Sequence, residues 1–238
     1  MEESISQDKP KKGNLIEKIT VGLLVVIALV TLYNATQMRG FESGSATGAV
    51  VDPAMSMEQP VEQSVTSEMQ EQITPKGIPE IYGKELGVSF DDVSAEDPEK
   101  ADATLGKMGT LDRQISLSGK DKERYISIAS KISCEYCCGA DSVITSDGKA
   151  ACGCSHSAAM RGIAKYLIKN HPNEYTDDQI LEEMGKWKTL SFPGKIAAKA
   201  AVLQGKGIEL NYINLASNKY RGIENEAPAS AGGMVGGC

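Results

Sequence analysis

Aromatic side chains are scarce in this sequence: they make up 5% of its 238 residues, and only one of them is tryptophan. So little large apolar surface favours one ordinary folded domain with appendages over two well-packed cores. Positive charge is not in excess either, because the formal net charge at pH 7 is −7. That balance removes the usual electrostatic basis for binding nucleic acid, and no nucleic-acid partner is expected.

Catalytic signatures are also missing. The sequence contains no phosphate-binding G-x-x-x-x-G-K-[ST] loop, no H-E-x-x-H and no G-x-S-x-G motif. Its two histidines, His156 and His171, leave few candidates for histidine-dependent hydrolytic chemistry. No catalytic residue is therefore predicted, and a non-enzymatic role is favoured.

Only one long hydrophobic run is present, and it predicts a membrane anchor. Residues 19–33 carry no charge, and the apolar stretch extends back to cover 15–33, which is short but sufficient for a hydrocarbon core of about 30 Å. No small-x-small cleavage site follows it. Lysines precede the run, whereas Arg39 is the one basic residue in the twenty that follow, so residues 1–14 are expected in the cytoplasm and the rest outside. A cleaved signal peptide and a buried core helix are the alternatives.

The remainder divides by composition into three parts. Residues 34–77 are polar and rich in Gln, Glu, Ser and Gly, which predicts a disordered linker. Residues 78–225 carry nearly all the remaining apolar periodicity and predict a small helical domain. Residues 226–238 are an Ala/Gly-rich tail that ends in Cys238 and is expected to be flexible.

Five helices are predicted within that domain from caps and from apolar residues at helical spacing. Asp97-Pro98 opens the first, which Gly109 is expected to end. The others are expected at 121–132, at 157–169, from a capping box at Thr176, and at 193–203. Residues 208–215 are ambiguous: Ile208, Leu210 and Tyr212 alternate like a strand, whereas Ile208, Tyr212 and Leu215 also suit a helix, and the strand is favoured. Trp187 is predicted to anchor the core, and His171 to end a helix whose dipole favours its charged form.

Five of the six cysteines cluster between residues 134 and 156, where they form two short groups. The insert between the groups centres on Asp147-Gly148, the strongest two-residue signal for a type I′ turn, and predicts a β-hairpin that brings the groups together. The second group runs directly into the helix expected at 157–169, whose N-terminus favours thiolates. This cysteine-rich finger supplies the candidate metal ligands Cys134, Cys137, Cys138, Cys152, Cys154 and His156.

Close thiolates at this spacing predict a tetrahedral metal site. The simplest ligand set is Cys134, Cys137, Cys152 and Cys154, and either Cys138 or His156 can substitute in it. Zn²⁺ suits a closed site of this kind, and Cu(I) is the alternative because it prefers soft ligands. Disulfides between the two groups, or unpartnered thiols, remain open, since the finger is expected to lie outside the cytoplasm.

The segment from Cys134 to Lys169 resembles a treble-clef or zinc-ribbon-like finger. It has the same order of parts: a cysteine knuckle, a predicted hairpin, and a second group of ligands at the start of a helix. Residues 132–195, together with the terminal Gly-Gly-Met-Val-Gly-Gly-Cys, resemble an uncharacterised family of single-pass, cysteine-rich prokaryotic membrane proteins ending in Gly-Gly-Cys. That resemblance implies one domain and no particular activity. Cys134-x-x-Cys137 and the Thr176-Asp-Asp-Gln-Ile segment resemble the cytochrome c maturation thiol-reductase family, which implies dithiol chemistry.

Three functions follow from these patterns. The first is a membrane-anchored, extracytoplasmic metal-binding module that uses the metal structurally or carries it. The second is a thiol–disulfide redox protein that uses Cys134 and Cys137. The third is an adaptor stapled by disulfides that docks another envelope protein. Cys238 is expected either to bend back and pair with the finger, with Cys138 as the favoured partner, or to remain an incidental thiol.

Overall fold

The computed structural model describes residues 67–227 and 233–237, all within the unit that spans 55–238. The predicted membrane anchor at 15–33, most of the predicted linker and Cys238 lie outside these residues. Within the described ranges, no helix is both long enough and apolar enough to cross a membrane.

The described part is mainly helical, as predicted, and contains no β-strand. After a helical segment at 67–73, the α-helices are α1 (Gly83–Leu86), α2 (Pro98–Gln114), α3 (Gly119–Ala129), α4 (Ser155–Asn170), α5 (Asp177–Ser191), α6 (Pro193–Gly205) and α7 (Tyr212–Ala216). Short 3-10 turns occupy Phe90–Asp92, Asn218–Tyr220 and Ile223–Glu226. The five predicted helices correspond to α2 to α6.

The predicted end of α2 at Gly109 is wrong, because the helix continues to Gln114. Its start is as expected: the Asp97 side chain accepts a hydrogen bond from the Lys100 backbone N–H, and Pro98 occupies the first turn. Gly109 is buried, and a Cβ built there would lie 3.4 Å from Cβ of Ala158 on α4. Gly109 therefore lies within α2, where the helix contacts α4, and does not end the helix.

The crossing of α2 and α4 is closest at Gly162. A Cβ built at this position would lie 1.9 Å from the backbone carbonyl oxygen of Met108, so only glycine fits without moving a helix. The apolar faces of the two helices, including Leu105, Met108, Ile163 and Leu167, are buried. This crossing fixes the position of the N-terminal end of α4, where the second cysteine group is attached.

Trp187 anchors the core, as predicted, and is fully buried on α5. Its indole N–H donates a hydrogen bond to the Tyr82 hydroxyl at 2.9 Å, and that hydroxyl donates to Glu183 at 2.7 Å. Because Trp187 has both a partner for its N–H and apolar surroundings, its burial leaves no polar group unsatisfied.

The predicted capping box at Thr176 is present at the start of α5, with Gln179 as its second member.

The strand expected at 208–215 is wrong, because Tyr212–Ala216 forms helix α7. The Asn211 side chain caps this helix by accepting a hydrogen bond from the Asn214 N–H at 2.9 Å. Gly185 of α5 allows close approach, since a Cβ there would lie 2.8 Å from the Tyr212 carbonyl oxygen. No strand among the described residues is present to pair with this segment, so the helical alternative prevails.

The last part of the predicted linker contributes to the fold. Residues 67–73 are helical, and Met69 and Ile73 are buried in the same hydrophobic core as Tyr82 and Phe90. This stretch is polar in composition but contains two apolar residues spaced four apart, which suffice to attach a helix of about two turns to the domain.

His171 gives the fold a pH-dependent contact. It follows α4, as predicted, and its ring nitrogens lie 2.9 Å from a Glu174 carboxylate oxygen and 3.0 Å from a Glu85 carboxylate oxygen. Burial lowers the pKa of His171, but its hydrogen bonds to Glu174 and Glu85 outweigh that effect and raise the pKa above its ordinary value. The charged imidazolium therefore stabilises the folded state at low pH.

Between about pH 6 and about pH 8, the contribution of His171 to the free energy of unfolding is expected to fall, because a group whose folded pKa is raised loses its contribution as pH passes that pKa. The loss should be smaller in His171→Gln. Urea unfolding of the full-length protein and the variant across this range measures the difference. Equal pH dependence in the two proteins would contradict the assignment.

Candidate metal centre

The first cysteine group forms a tight knuckle after α3. Cys134 is completely buried, and its carbonyl oxygen accepts a hydrogen bond from the Cys138 backbone N–H at 3.3 Å. Gly139 follows in the left-handed region at φ 68°, which lets the chain turn away. The backbone of Ile132 pairs with Ser217 in an isolated antiparallel bridge, so the knuckle is held to the segment after α7.

A buried ion pair fixes this knuckle to the helical body. The Glu135 carboxylate lies 2.8 Å from Nζ of Lys188 on α5 and 3.0 Å from Nε of Arg221. Lys188 is fully buried and also donates to the Ala216 carbonyl oxygen at 2.8 Å. Because each charge has a partner, Glu135 positions Cys134 and Cys137 without leaving an isolated charge in the core.

The insert between the cysteine groups forms no β-strands and no type I′ turn, so the predicted β-hairpin is not confirmed. It folds back on itself, but the ladder is reduced to one antiparallel bridge between Ile144 and Ala150. The turn is closed by Gly148 N–H donating to the Thr145 carbonyl oxygen at 2.9 Å, with Gly148 at φ 81°. Asp147 does not have the positive φ that a type I′ turn requires, and a glycine-bulged turn forms instead.

The second cysteine group lies at the N-terminus of α4. Cys154 is the N-cap, and its sulfur accepts a hydrogen bond from the Ser157 backbone N–H at 3.4 Å. Cys152 accepts one from the Cys154 backbone N–H at 3.5 Å. Unpaired amides and the positive end of the helix dipole therefore point at the Cys154 sulfur, as expected from the sequence.

Four of the six predicted ligands come together in one cluster. A sulfur or ring nitrogen from each of Cys134, Cys137, Cys154 and His156 lies within 4.8 Å of the others. Cys138, Cys152 and Cys154 form a second group at the same spacing, nearer the surface. The structure thus places His156, rather than Cys152, with the other three residues of the simplest predicted set. The four-residue cluster, here called the inner cluster, can hold a metal ion.

The two buried sulfurs of the inner cluster are closest. Sγ of Cys134 and Sγ of Cys154 lie 3.4 Å apart. The contact with Cys134, followed by the proximity of the His156 ring and the hydrogen bond from the Ser157 amide, lowers the pKa of Cys154 to about 3, while the contact with Cys154 and burial raise the pKa of Cys134. Negative charge on this pair of sulfurs is therefore favoured at Cys154 over Cys134.

His156 presents one nitrogen to the inner cluster and uses the other to bind the chain. Its Nε2 lies 2.8 Å from the carbonyl oxygen of Val235, which can only accept, so Nε2 carries a proton. Nδ1 is buried and has no hydrogen-bond partner among the described residues. A histidine whose N–H is held by a carbonyl and whose other nitrogen is unengaged has the usual arrangement of a metal ligand.

The cysteines differ in oxidation state. Cys137 is disulfide-bonded, whereas Cys134, Cys138, Cys152 and Cys154 are free thiols. The predicted alternative of disulfides between the two cysteine groups therefore does not describe this structure. Cys138, the favoured partner for Cys238, is a free thiol in this structure.

The C-terminal tail lies against this centre. Val235 is buried, and its N–H donates to the Ser191 carbonyl oxygen at 2.9 Å. The Gly237 N–H donates to Oδ1 of Asp102 at 2.7 Å, and the Gly237 carbonyl oxygen accepts from the Ser155 hydroxyl. Residues 233–237 are thus bound to the start of α4 and to α2, whereas the sequence predicted a flexible tail with the option of bending back towards the finger.

Arg161 is a supporting residue that the sequence analysis missed. On α4, it forms an ion pair with Asp112 at 2.8 Å and donates to the backbone carbonyl oxygens of Val143 at 3.2 Å and Cys152 at 3.0 Å. It also donates to the Ser157 hydroxyl at 2.7 Å. Arg161 follows Ser157 by one helical turn on a face of α4 that is otherwise apolar. A charged residue at such a position could have indicated a buried ion pair.

Comparison of the whole chain with protein-family models, with curated proteins and with solved structures gives no match. The chemistry of the inner cluster therefore has to be judged from its own geometry.

Proposed function

We propose that the protein is a thiolate metal-binding module, and that in its reduced form it holds one Zn²⁺ through Cys134, Cys137, Cys154 and His156. The observation that carries the proposal is the unengaged, buried Nδ1 of His156 beside three cysteine sulfurs. Burying an imidazole nitrogen without a partner is costly, and ligation of a cation compensates for that cost.

The spacing of the donors supports a tetrahedral ion. Sulfurs bound to one Zn²⁺ at about 2.3 Å in tetrahedral geometry lie about 3.8 Å apart. The atoms of the inner cluster lie within 4.8 Å of one another, so closure needs a contraction of less than about 1 Å. Three cysteines and one histidine form a closed structural zinc set, which favours Zn²⁺ over the Cu(I) alternative.

The proposed location is the outer face of a membrane, with the helical domain tethered through the apolar run at 15–33. The support for it is the sequence alone: the length of that run and the lysines before it. A site that binds the metal structurally or passes it to an envelope protein fits this location equally well.

Zinc titration of the full-length protein tests the proposal. The fully reduced protein is expected to bind one equivalent, in competition with a chromogenic chelator. Cys154→Ser should weaken binding by about 100-fold or more, since loss of a direct ligand should exceed the 10- to 100-fold effects typical of outer-shell changes. Cys138→Ser is the matched control, because this exposed cysteine lies outside the inner cluster and its loss should leave affinity unchanged.

Equal losses in Cys154→Ser and Cys138→Ser would contradict the proposed ligand set. Failure of the reduced wild-type protein to bind zinc would contradict the function itself.

The second candidate function, thiol–disulfide exchange, is favoured by one observation, which is the disulfide at Cys137 beside the free thiols of Cys134 and Cys154. It predicts a Cys137 disulfide that equilibrates with a redox buffer in a protein without metal affinity.

A further inference from the structure

We propose that Cys138, Cys152 and Cys154 form a second metal site, here called the outer site, which holds Cu(I) and shares the Cys154 sulfur with the inner cluster. The sulfur of each of these cysteines lies within 4.8 Å of the other two. All three residues are free thiols, whereas Cys137 of the inner cluster is disulfide-bonded. The outer site therefore has its complete set of donors without reduction of that disulfide.

Local contacts bring the three sulfurs of the outer site together. The Cys138 thiol donates a hydrogen bond to the Cys134 carbonyl oxygen at 3.4 Å, which holds its sulfur towards the first knuckle. The Cys152 sulfur accepts a hydrogen bond from the Cys154 N–H at 3.5 Å, and Cys154 is the N-cap of α4. The two cysteine groups therefore meet at two places, the inner cluster and the outer site.

Two arginines fix the backbone that carries the outer ligands. Arg161 donates to the Cys152 carbonyl oxygen at 3.0 Å, and Arg221 donates at 3.2 Å to the carbonyl oxygen of Gly139, the residue after Cys138. The first turn of α4 contains no acidic residue, so no carboxylate there competes with a thiolate for the positive end of the helix dipole. The donors are thus held in place before an ion binds.

The donor set of the outer site favours Cu(I) over Zn²⁺. Among the described residues, no fourth histidine, cysteine or carboxylate joins the three cysteines at this spacing. A structural Zn²⁺ site takes four protein ligands, whereas soft thiolates select Cu(I), which forms stable complexes with three of them. Each thiol gives its proton to solvent as the ion binds.

The two sites differ in their access to solvent. Cys138 is exposed and Cys152 is half-buried, whereas Cys134 and His156 of the inner cluster are buried. A thiolate from another protein can therefore form a bond to the outer ion as the bond to Cys138 breaks, and the copper stays Cu(I) throughout. The outer site is suited to passing its ion to a thiolate acceptor, and the inner cluster is suited to keeping its ion.

The outer site does not rest on the proposed zinc function, because its ligands are available while Cys137 is still disulfide-bonded. Only the sharing of Cys154 between two ions rests on that function. Cys154 belongs to both groups of donors, and a thiolate sulfur has enough lone pairs to bridge two metal ions.

Cu(I) titration of the full-length protein tests the outer site. Under anaerobic conditions, with ascorbate and without a thiol reductant, the protein should take one equivalent of Cu(I) from a chromogenic chelator. Cys138→Ser and Cys152→Ser should each weaken this binding by about 100-fold or more, since each removes a direct ligand. Cys138→Met should retain most of the affinity, because a thioether is also a soft ligand. Equal Cu(I) affinity in the wild type and Cys138→Ser would overturn the outer site.

Copper K-edge X-ray absorption of the same complex identifies the donors directly. The outer site predicts three sulfur neighbours and no nitrogen. A nitrogen neighbour would place Cu(I) at His156 in the inner cluster and would overturn the assignment.

Zinc loading separates the outer site from the proposed function. The reduced protein carrying one equivalent of zinc should take up one equivalent of Cu(I) and keep its zinc, as read by native mass spectrometry, whereas Cys154→Ser should lose affinity for both ions. Release of the zinc on addition of Cu(I) would overturn the shared centre. Cu(I) bound by three sulfurs in a protein that never binds zinc would overturn the zinc function and leave the outer site standing. Zinc binding without Cu(I) binding would do the reverse.

Discussion

Gly162→Ala is expected to lower the free energy of unfolding by about 3 kcal/mol or more, the upper end of the range for overpacked positions. The new methyl group would lie 1.9 Å from the Met108 carbonyl oxygen, and a backbone atom cannot rotate away as a side chain can. Helix α4 must therefore shift relative to α2. Urea unfolding followed by Trp187 fluorescence measures the loss, because Trp187 is the single tryptophan and is buried in this core.

Gly106→Ala on α2 is the matched control. Gly106 is exposed in the helix interior, and a Cβ there would meet no atom within 4 Å. The substitution should stabilise the protein by up to about 1 kcal/mol, because alanine is the better helix former. A Gly162→Ala variant as stable as the wild type would show that the two helices do not cross in this way.

Arg161→Met is expected to lower the free energy of unfolding by about 3 to 5 kcal/mol, the usual result of removing one partner of a buried ion pair. Asp112 would keep only Lys165, at 2.7 Å, as a charged partner among the described residues. The carbonyl oxygens of Val143 and Cys152 would also lose a donor. Because these groups hold the loop that leads into Cys154, zinc affinity should fall roughly 10- to 100-fold, as for other outer-shell changes.

Arg113→Met provides the comparison for this effect. Arg113 is an exposed arginine on α2 whose side chain donates to Thr110 on the same helix. Its loss should change stability by less than about 0.5 kcal/mol and leave zinc affinity unaltered. If Arg161→Met lost stability but kept full zinc affinity, Arg161 would have a purely structural role and would not position the centre.

Helix starts were predictable where the sequence carries its own cap. Asp97-Pro98 and the Thr176 capping box satisfy unpaired amide groups locally, so neither depends on distant residues. Gly109 misled because a glycine that ends a helix and a glycine buried within a helix look alike in sequence. Its burial comes from helix α4, more than 40 residues further along the chain, which no local pattern contains.

Residues 208–215 were mispredicted for a related reason. Alternating apolar residues suit a strand only when another strand is available to pair with it. Here the Asn211 side chain caps a helix, and the backbone of Tyr212 packs closely against Gly185 of α5. Both contacts stabilise the helical conformation. The insert in the finger forms only one β-bridge. The Thr145 hydroxyl donates a hydrogen bond to the Asp147 carboxylate and accepts one from the Lys149 N–H, and these local bonds favour a compact turn over a longer ladder.

The candidate centre was predictable as a set of six residues but not as a geometry. Spacing indicated that the two cysteine groups meet, and the helix after them indicated a stabilised thiolate at Cys154. The sequence allowed His156 as a substitute ligand but could not decide between it and Cys152, because the choice depends on the Val235 carbonyl that orients the imidazole ring from 79 residues away. The bound tail follows from the same long-range contact.

Zinc K-edge X-ray absorption of the reduced full-length protein, loaded with one equivalent of zinc, tests the central claim most directly. Ligation by Cys134, Cys137, Cys154 and His156 predicts three sulfur neighbours at about 2.3 Å and one nitrogen at about 2.0 to 2.1 Å. Four sulfur neighbours, or a shell of oxygen atoms typical of loosely held zinc, would contradict it.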